Sequence, residues 1–154
     1  MSDNFTLGMD CKLYRCATLL DGDTNTPALA TWIELDNAKD VTVNLETGEA
    51  DITTRANNGW RATAATLKDG SIEFEMLWKP ADAGFAALQA AWAAGSEIAI
   101  AALDGADDAD GSEGLASNFT VTNFSRSEPL EEAVTVSVTL KPSSCTEWYT
   151  VVVE

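Results

Sequence analysis

From residue 133 to 141 the chain alternates without a break: Val134, Val136, Val138 and Leu140 take one set of positions, and Thr135, Ser137 and Thr139 the other. Side chains two apart share a face when the backbone is extended, so this segment predicts a half-buried β-strand. The same period puts Ile72, Phe74, Met76 and Trp78 on a core face opposite Glu73, Glu75, Leu77 and Lys79, and it returns in Val41, Val43 and Leu45. Less regular strands are expected over residues 12–19, 31–36, 49–55, 61–67, 97–103, 119–125 and 147–153. One segment changes period. Across residues 82–94, Phe85, Leu88 and Trp92 fall at helical spacing among alanines, with Asp82 placed to cap the start and Gly95 the end. Many strands and one mid-chain helix imply a mainly β fold, a β-sandwich or partly closed barrel with one flanking α-helix. At 154 residues the chain suits a single domain over 1–154, which buries about 68–70% of its unfolded surface in one apolar core.

Absent residues narrow the chemistry. The chain contains no His, so Ser–His and Cys–His catalytic pairs and His-ligated metals are unavailable to it. Nine Lys+Arg against 25 Asp+Glu leave a net charge of −16, the opposite of what a nucleic-acid-gripping surface requires, because that affinity comes mainly from cations neutralising phosphates. Cys11, Cys16 and the distant Cys145 make neither a disulfide framework nor a complete zinc site and are expected as reduced thiols. The opening Met-Ser-Asp-Asn has no basic segment followed by an apolar run, and no stretch nears the roughly 18 apolar residues of a membrane span. Synthesis in the cytoplasm without membrane contact is therefore expected. On that expectation the glycosylation sequons at Asn4, Asn118 and Asn123 are chance matches.

Two loops invite a functional reading. Residues 47–71 hold Gly48, Asn57-Asn58-Gly59 and Asp69-Gly70, with few large apolar side chains besides Ile52, Trp60 and Leu67, a pattern for a long, mobile hairpin loop. Residues 104–114 read DGADDADGSEG, rich in the oxygen ligands calcium prefers. The register of a calcium loop fails, however: with Gly111 sixth, Ala106 and Ser117 occupy the first and twelfth positions, where acids belong. A solvated acidic connector is the simpler reading. Glu73 and Glu75 lie about 6.6–7 Å apart along one strand face, which loosely suits the carboxylate pair of a glycoside hydrolase. Most polar strand faces meet that spacing, and no sugar-site pattern surrounds these two. Five Trp are ordinarily core or interface aromatics, but Trp60 sits in a loop and needs another role. No catalytic residue, cofactor or metal is assigned.

Five segments, in order, carry a resemblance: Lys12-Leu13-Tyr14-Arg15, Val41-Thr42-Val43-Asn44-Leu45, Arg55-Ala56-Asn57-Asn58-Gly59-Trp60, Ser71-Ile72-Glu73-Phe74-Glu75-Met76-Leu77-Trp78 and Phe124-Ser125-Arg126-Ser127-Glu128-Pro129-Leu130-Glu131. Together they resemble the major tail tube proteins of long-tailed bacteriophages, over most of the chain. The acidic loop at 104–114 departs from that pattern. The chain also stops at Glu154 without the immunoglobulin-like domain some relatives append, which implies a smooth tube. The resemblance implies a non-enzymatic structural subunit, a β-sandwich with a flanking helix. Six copies would share sheet edges to close a homo-hexameric ring with an inner β-barrel. The rings would stack into a hollow virion tail, through which DNA passes on ejection without specific binding. The implied partners are further copies of the chain, a tape measure protein, a tail terminator and baseplate proteins.

The residues offer physical means for such an assembly. Heterologous contacts close into rings or extend into filaments, and pairing exposed sheet edges around a ring removes them. Spread evenly over the roughly 7,500 Å² of a compact monomer this size, the excess charges of the −16 total would sit roughly 20 Å apart, beyond the Debye length of about 8 Å. Gathered on a channel wall they would repel DNA, which Lys or Arg would instead trap through counterion release. The expected lumen residues are Glu46, Glu49, Asp51, Glu73 and Glu75, on the strands flanking the long loop. Ring-to-ring contact is expected from Arg55, Asn57, Asn58, Trp60 and Arg61, because Trp and Arg are favoured at interface hot spots. The plainer reading of that loop is an ordinary surface hairpin. The alternative function is a soluble β-sandwich binding module for carbohydrate or calcium, using the Trp residues and the acidic loop.

Overall fold

The computed structural model describes residues 6–153, so Asn4 and the opening stretch considered for a leader lie outside it. Its strands are β1 (Lys12–Cys16), β2 (Ile33–Glu34), β3 (Ala38–Asp51), β4 (Thr63–Leu77), β5 (Glu97–Leu103), β6 (Glu113–Ser127) and β7 (Thr135–Thr150), with helix α1 (Ala83–Ala94) between β4 and β5. They form one antiparallel sheet in the order β2-β1-β5-β6-β7-β4-β3. β2 and β3 are its two edges, yet only residues 35–37 separate them in the chain. Laid flat, seven strands would hold those edges about 29 Å apart, whereas the four-residue step from Glu34 to Ala38 reaches at most about 14 Å. The sheet must therefore roll until its edges approach. β2 and β3 do not pair, so the roll stays open, a partly closed barrel of the kind the alternation predicts. Asn37 secures the link by donating from Nδ2 to the Leu77 carbonyl at 2.8 Å.

Inside the roll the alternation resolves as expected. Val136, Val138, Leu140, Ile72, Phe74 and Met76 are buried, while Thr135, Ser137 and Thr139 are half-exposed. Each such side chain removed from water contributes about 1.5–3 kcal/mol. Helix α1 plugs the core with Phe85, Leu88 and Ala91. Its start is capped by Asp82, which accepts from the Phe85 amide at 3.0 Å. Gly95 closes its end at φ 67, a left-handed turn that glycine adopts without strain. Gly84 is needed for close approach, because a Cβ there would collide with Leu35 Cδ2. Trp92, expected on the buried stripe, is instead 51% exposed and stacks on Phe124 with ring centroids 6.3 Å apart.

Several expected strands fuse. Residues 41–45 and the first part of 49–55 belong to β3, which ends at Asp51, while 61–67 and 72–78 fall largely in β4, and 133–141 and 147–153 largely in β7; at the other extreme, 31–36 shrinks to Ile33–Glu34. A ladder needs only backbone groups, so pairing runs on where the apolar alternation stops. β7 survives Pro142 because that residue falls past Leu140, where β4 has parted from it. It then bends at a bulge where Cys145 takes φ 54. Asn118, one of the discarded sequons, is buried in the same region. Its Nδ2 donates to the Leu20 carbonyl at 2.7 Å and to Ser144 Oγ at 3.0 Å, and its Oδ1 accepts from the Leu20 amide at 2.8 Å.

Candidate assembly surfaces

The β3–β4 ribbon leaves the body beyond Ile72. β4 pairs with β7 only from Ile72 to Leu77, while its pairing with β3 continues to Asp51↔Thr63. The stretch 47–71 is thus a paired ribbon rather than one long loop, and the connecting tip is residues 52–62. That tip has its own hydrogen bonds. Thr54 and Asn57 form a reciprocal capping box over the 3₁₀ turn Arg55–Asn57, and Asn58 and Gly59 follow at φ 54 and 82. The Trp60 amide donates to the Asn57 carbonyl at 3.0 Å, and the Ala62 amide to Thr53 Oγ1 at 2.8 Å. At the tip's root, Asp51 accepts from the Thr53 amide at 2.9 Å, and donation from the Thr53 hydroxyl and amide holds its carboxyl below the ordinary value. Arg55, Asn57, Asn58, Trp60 and Arg61 are thereby brought together at one end of the molecule. Trp60 is 78% exposed there.

Register sorts the acidic residues. Ile72↔Val43 and Ile72↔Leu140 are core-facing pairs, so their neighbours Glu73↔Thr42 and Glu73↔Thr139 face outward, as does Glu75↔Ser137. Asp69↔Glu46 lies on the same outward face, with Asn44 bonded to Ser71 at 3.2 Å beside it. Glu46, Glu73 and Glu75 therefore share one polar wall of Glu, Asp, Ser, Thr and Asn. Lys39 approaches Glu75 at 4.0 Å, and Lys141 lies near Glu46 and Asp69. Glu49 and Asp51 do not join it: each stands an odd number of positions along the strand from Glu46, and the register shift after Thr47 places the extra residue on β4. Strand alternation carries both to the opposite side of the ribbon. Sequence reasoning missed Asp69, whose membership of this wall shows only once the hairpin register is known.

Two edges of the sheet are unpaired over useful lengths. β3 has a neighbour only in β4, and β6 beyond Thr120 has one only in β7, because the β5–β6 ladder ends at Glu97↔Thr120. Beneath β3, on the core-facing side, the parting of β4 from β7 opens an apolar groove. Two cavities of about 640 and 670 Å³ share Leu115 and Trp148 as walls, and Val41, Val43 and Leu45 line the β3 side. These three β3 residues, expected on a covered strand face, remain exposed. The chain as a whole exposes 9804 Å², well above the roughly 7,500 Å² of a compact monomer.

The acidic loop is exposed but pinned. Asp104 Oδ1 accepts from the Glu113 amide at 2.9 Å, Asp110 Oδ1 from the Val153 amide at 3.0 Å, and the Tyr14 hydroxyl from the Asp107 amide at 3.1 Å. Burial pushes the Tyr14 hydroxyl above its ordinary pKa. Among the described residues, no group of three or more Cys, Asp or Glu is arranged to hold a metal ion.

Comparison with known proteins gives these surfaces a context. A family model described as phage tail tube protein matches residues 17–144. No curated protein sequence matches the chain. Among solved structures, a chain from the tail of an empty gene transfer agent particle, refined helically with C6 symmetry, superposes with a TM-score of 0.70 at 13% identity, over 95% of this chain and 100% of that one. The SPP1 tail tube gives 0.69 at 18% identity, over 96% and 81%. The baseplate of the anti-feeding prophage gives 0.58 at 12% identity, over 98% and 99%. At such identities the likeness is one of fold.

Proposed function

The chain belongs to the phage tail tube protein family and is a structural tail tube subunit, and we propose that it works by closing six-membered rings through the free edges of β3 and β6. The observation that carries this reading is the run β6-β7-β4-β3. These are four strands, all antiparallel, with an unpaired edge along β3 at one end and along β6 beyond Thr120 at the other. An even number of antiparallel strands leaves β3 running opposite to β6, so β3 of one copy meets β6 of the next in antiparallel sense and every junction repeats. Closure removes both edges, the usual solution to an exposed strand. Four strands from each of six copies, at ~4.8 Å per strand and a tilt near 40°, give a barrel roughly 45–50 Å across its backbone.

The outward polar wall then becomes the bore. Glu46, Glu73 and Glu75, joined by Asp69, outnumber the wall's two cations, Lys39 beside Glu75 and Lys141 near Glu46 and Asp69, so the net charge of the wall repels the phosphates of passing DNA. The tip at 52–62 projects from one end of the subunit, which supports its role in ring-to-ring contact through Trp60 and its neighbours. Further copies are the main partners; a tape measure protein inside, and terminator and baseplate proteins at the ends, complete the set. The subunit is made in the host cytoplasm and has no catalytic part.

Electron microscopy of concentrated protein tests the reading. Stacked discs of even width, unchanged by EDTA, are expected; protein that stays monomeric under all conditions overturns the ring. A second arm uses Glu46→Lys with Glu73→Lys. Those tubes should form and retain DNA in a salt-dependent manner, and tubes that remain indifferent to DNA would remove the lumen assignment.

A further inference from the structure

The two ring-forming edges are backed by unlike surfaces. Under β6, helix α1 lies against the core face: Phe85 meets Phe124 at 5.8 Å, and Trp92 stacks on the same ring. Under β3 no helix lies, and a groove opens whose apolar walls are Val41, Val43, Leu45, Leu115 and Trp148, with Lys12, Lys68 and Glu113 among its charged lining. A sheet that continues from β3 of one copy into β6 of the next keeps each face on one side throughout. The layer beneath the incoming β6 therefore adjoins the groove beneath β3. The large apolar side chain at that flank of the helix is Trp92, half-exposed and held in place by its stack.

We propose that Trp92 of each copy inserts into the groove beneath β3 of its neighbour around the ring, an inference that rests on the edge-to-edge reading above. Val41, Val43, Leu45, Leu115 and Trp148 give the groove apolar walls for the indole body between charged rims that include Lys39, Lys68 and Glu113, and Glu147 offers an acceptor for the indole N–H. A Trp entering a preformed apolar pocket is a typical interface anchor. Because stacking on Phe124 already orders the ring, little side-chain freedom remains to be lost on docking. The contact also covers Val43, Leu45 and Trp148, which the chain alone leaves exposed. It is heterologous, with knob and hole on opposite flanks, as a closed ring requires.

Disulfide trapping tests the contact. Trp92→Cys is combined with Val43→Cys after the exposed thiols are removed by Cys11→Ser and Cys145→Ser. Oxidation at protein concentrations above the raised assembly threshold expected of a Trp92 variant, with rings of the double variant seen in micrographs, should give a ladder of covalent oligomers on non-reducing gels, ending at the closed ring and absent from either single variant. Rings of the double variant in micrographs with no ladder on the gel would overturn the contact and leave the ring standing. Wild-type protein that never forms rings would overturn both. Trp92→Ala provides the second measurement. The monomer should melt within a few degrees of wild type, while the concentration needed for assembly rises roughly thirtyfold or more. Assembly at the wild-type concentration would overturn the proposal.

Discussion

The two halves of β4 differ in what covers them. Ile72, Phe74 and Met76 are buried to 3% or less, whereas Leu67, a few residues earlier on the same strand, is 85% exposed. Both halves pair with β3. What differs is the other neighbour: β7 lies beside Ile72–Leu77, and α1 packs beneath that region, with Phe85 in edge contact with Trp78 at 5.0 Å. A two-stranded ribbon has little stability of its own, so the distal half depends on its backbone ladder and on the hydrogen bonds of its tip. Stability is thus unevenly shared along a single strand, one end built into the core and the other held by its ladder and tip alone.

The sharpest way to break that comparison is to empty the core end. Phe85→Ala should cost about 3–5 kcal/mol of monomer stability, read as a fall in the denaturation midpoint, because it removes a fully buried ring and leaves a cavity. A loss under 1 kcal/mol would mean that the core does not depend on α1. At the distal end, Trp60→Ala should change monomer stability by no more than about 0.5 kcal/mol, since the side chain is mostly in water. The same variant should form rings that fail to stack, seen as isolated discs in micrographs, and normal tubes would return the tip to an ordinary surface hairpin. The smallest expected effect is acid loosening of the tip's root. The Asp51 carboxyl sits below the ordinary value of 3.8, chiefly because it accepts from Thr53, so its contribution is fully present above pH 4 and is lost as pH falls through the lowered value. The protection of the Thr53 amide, its exchange rate taken relative to the intrinsic rate at each pH, should fall in that acid range while Ile72 stays protected; equal loss of protection at both would join the two regions into one unit.

Much of the body was legible because its signals are local. The strand over Val134 to Leu140 shows its period within a few residues, and the helix carries its own stop signals in Asp82 and Gly95. The assembly surfaces were legible only in part. Arg55, Asn57, Asn58, Trp60 and Arg61 are adjacent in sequence and remain together in space. Glu46 and Glu49 look equivalent in the sequence yet fall on opposite sides of the ribbon, because an odd separation changes the face. Val41, Val43 and Leu45 show the alternation of a covered strand, but the covering layer is missing beneath them. Trp92 fits the helical stripe but lies at its margin, over Phe124 rather than inside the core.

Read alone, the amino-acid sequence determined where the chain extends, where it coils into its helix, and that chemistry needing an imidazole is unavailable to it. Those properties follow from residues within one or two turns of each other. Tertiary structure alone decided which faces are covered, which edges are free, and that a groove lies under one flank and an aromatic knob under the other. These features depend on strands such as β4 and β7, separated in the chain by a helix and two other strands. Their parting beyond Ile72 is set by how the whole sheet rolls, and no local period records that.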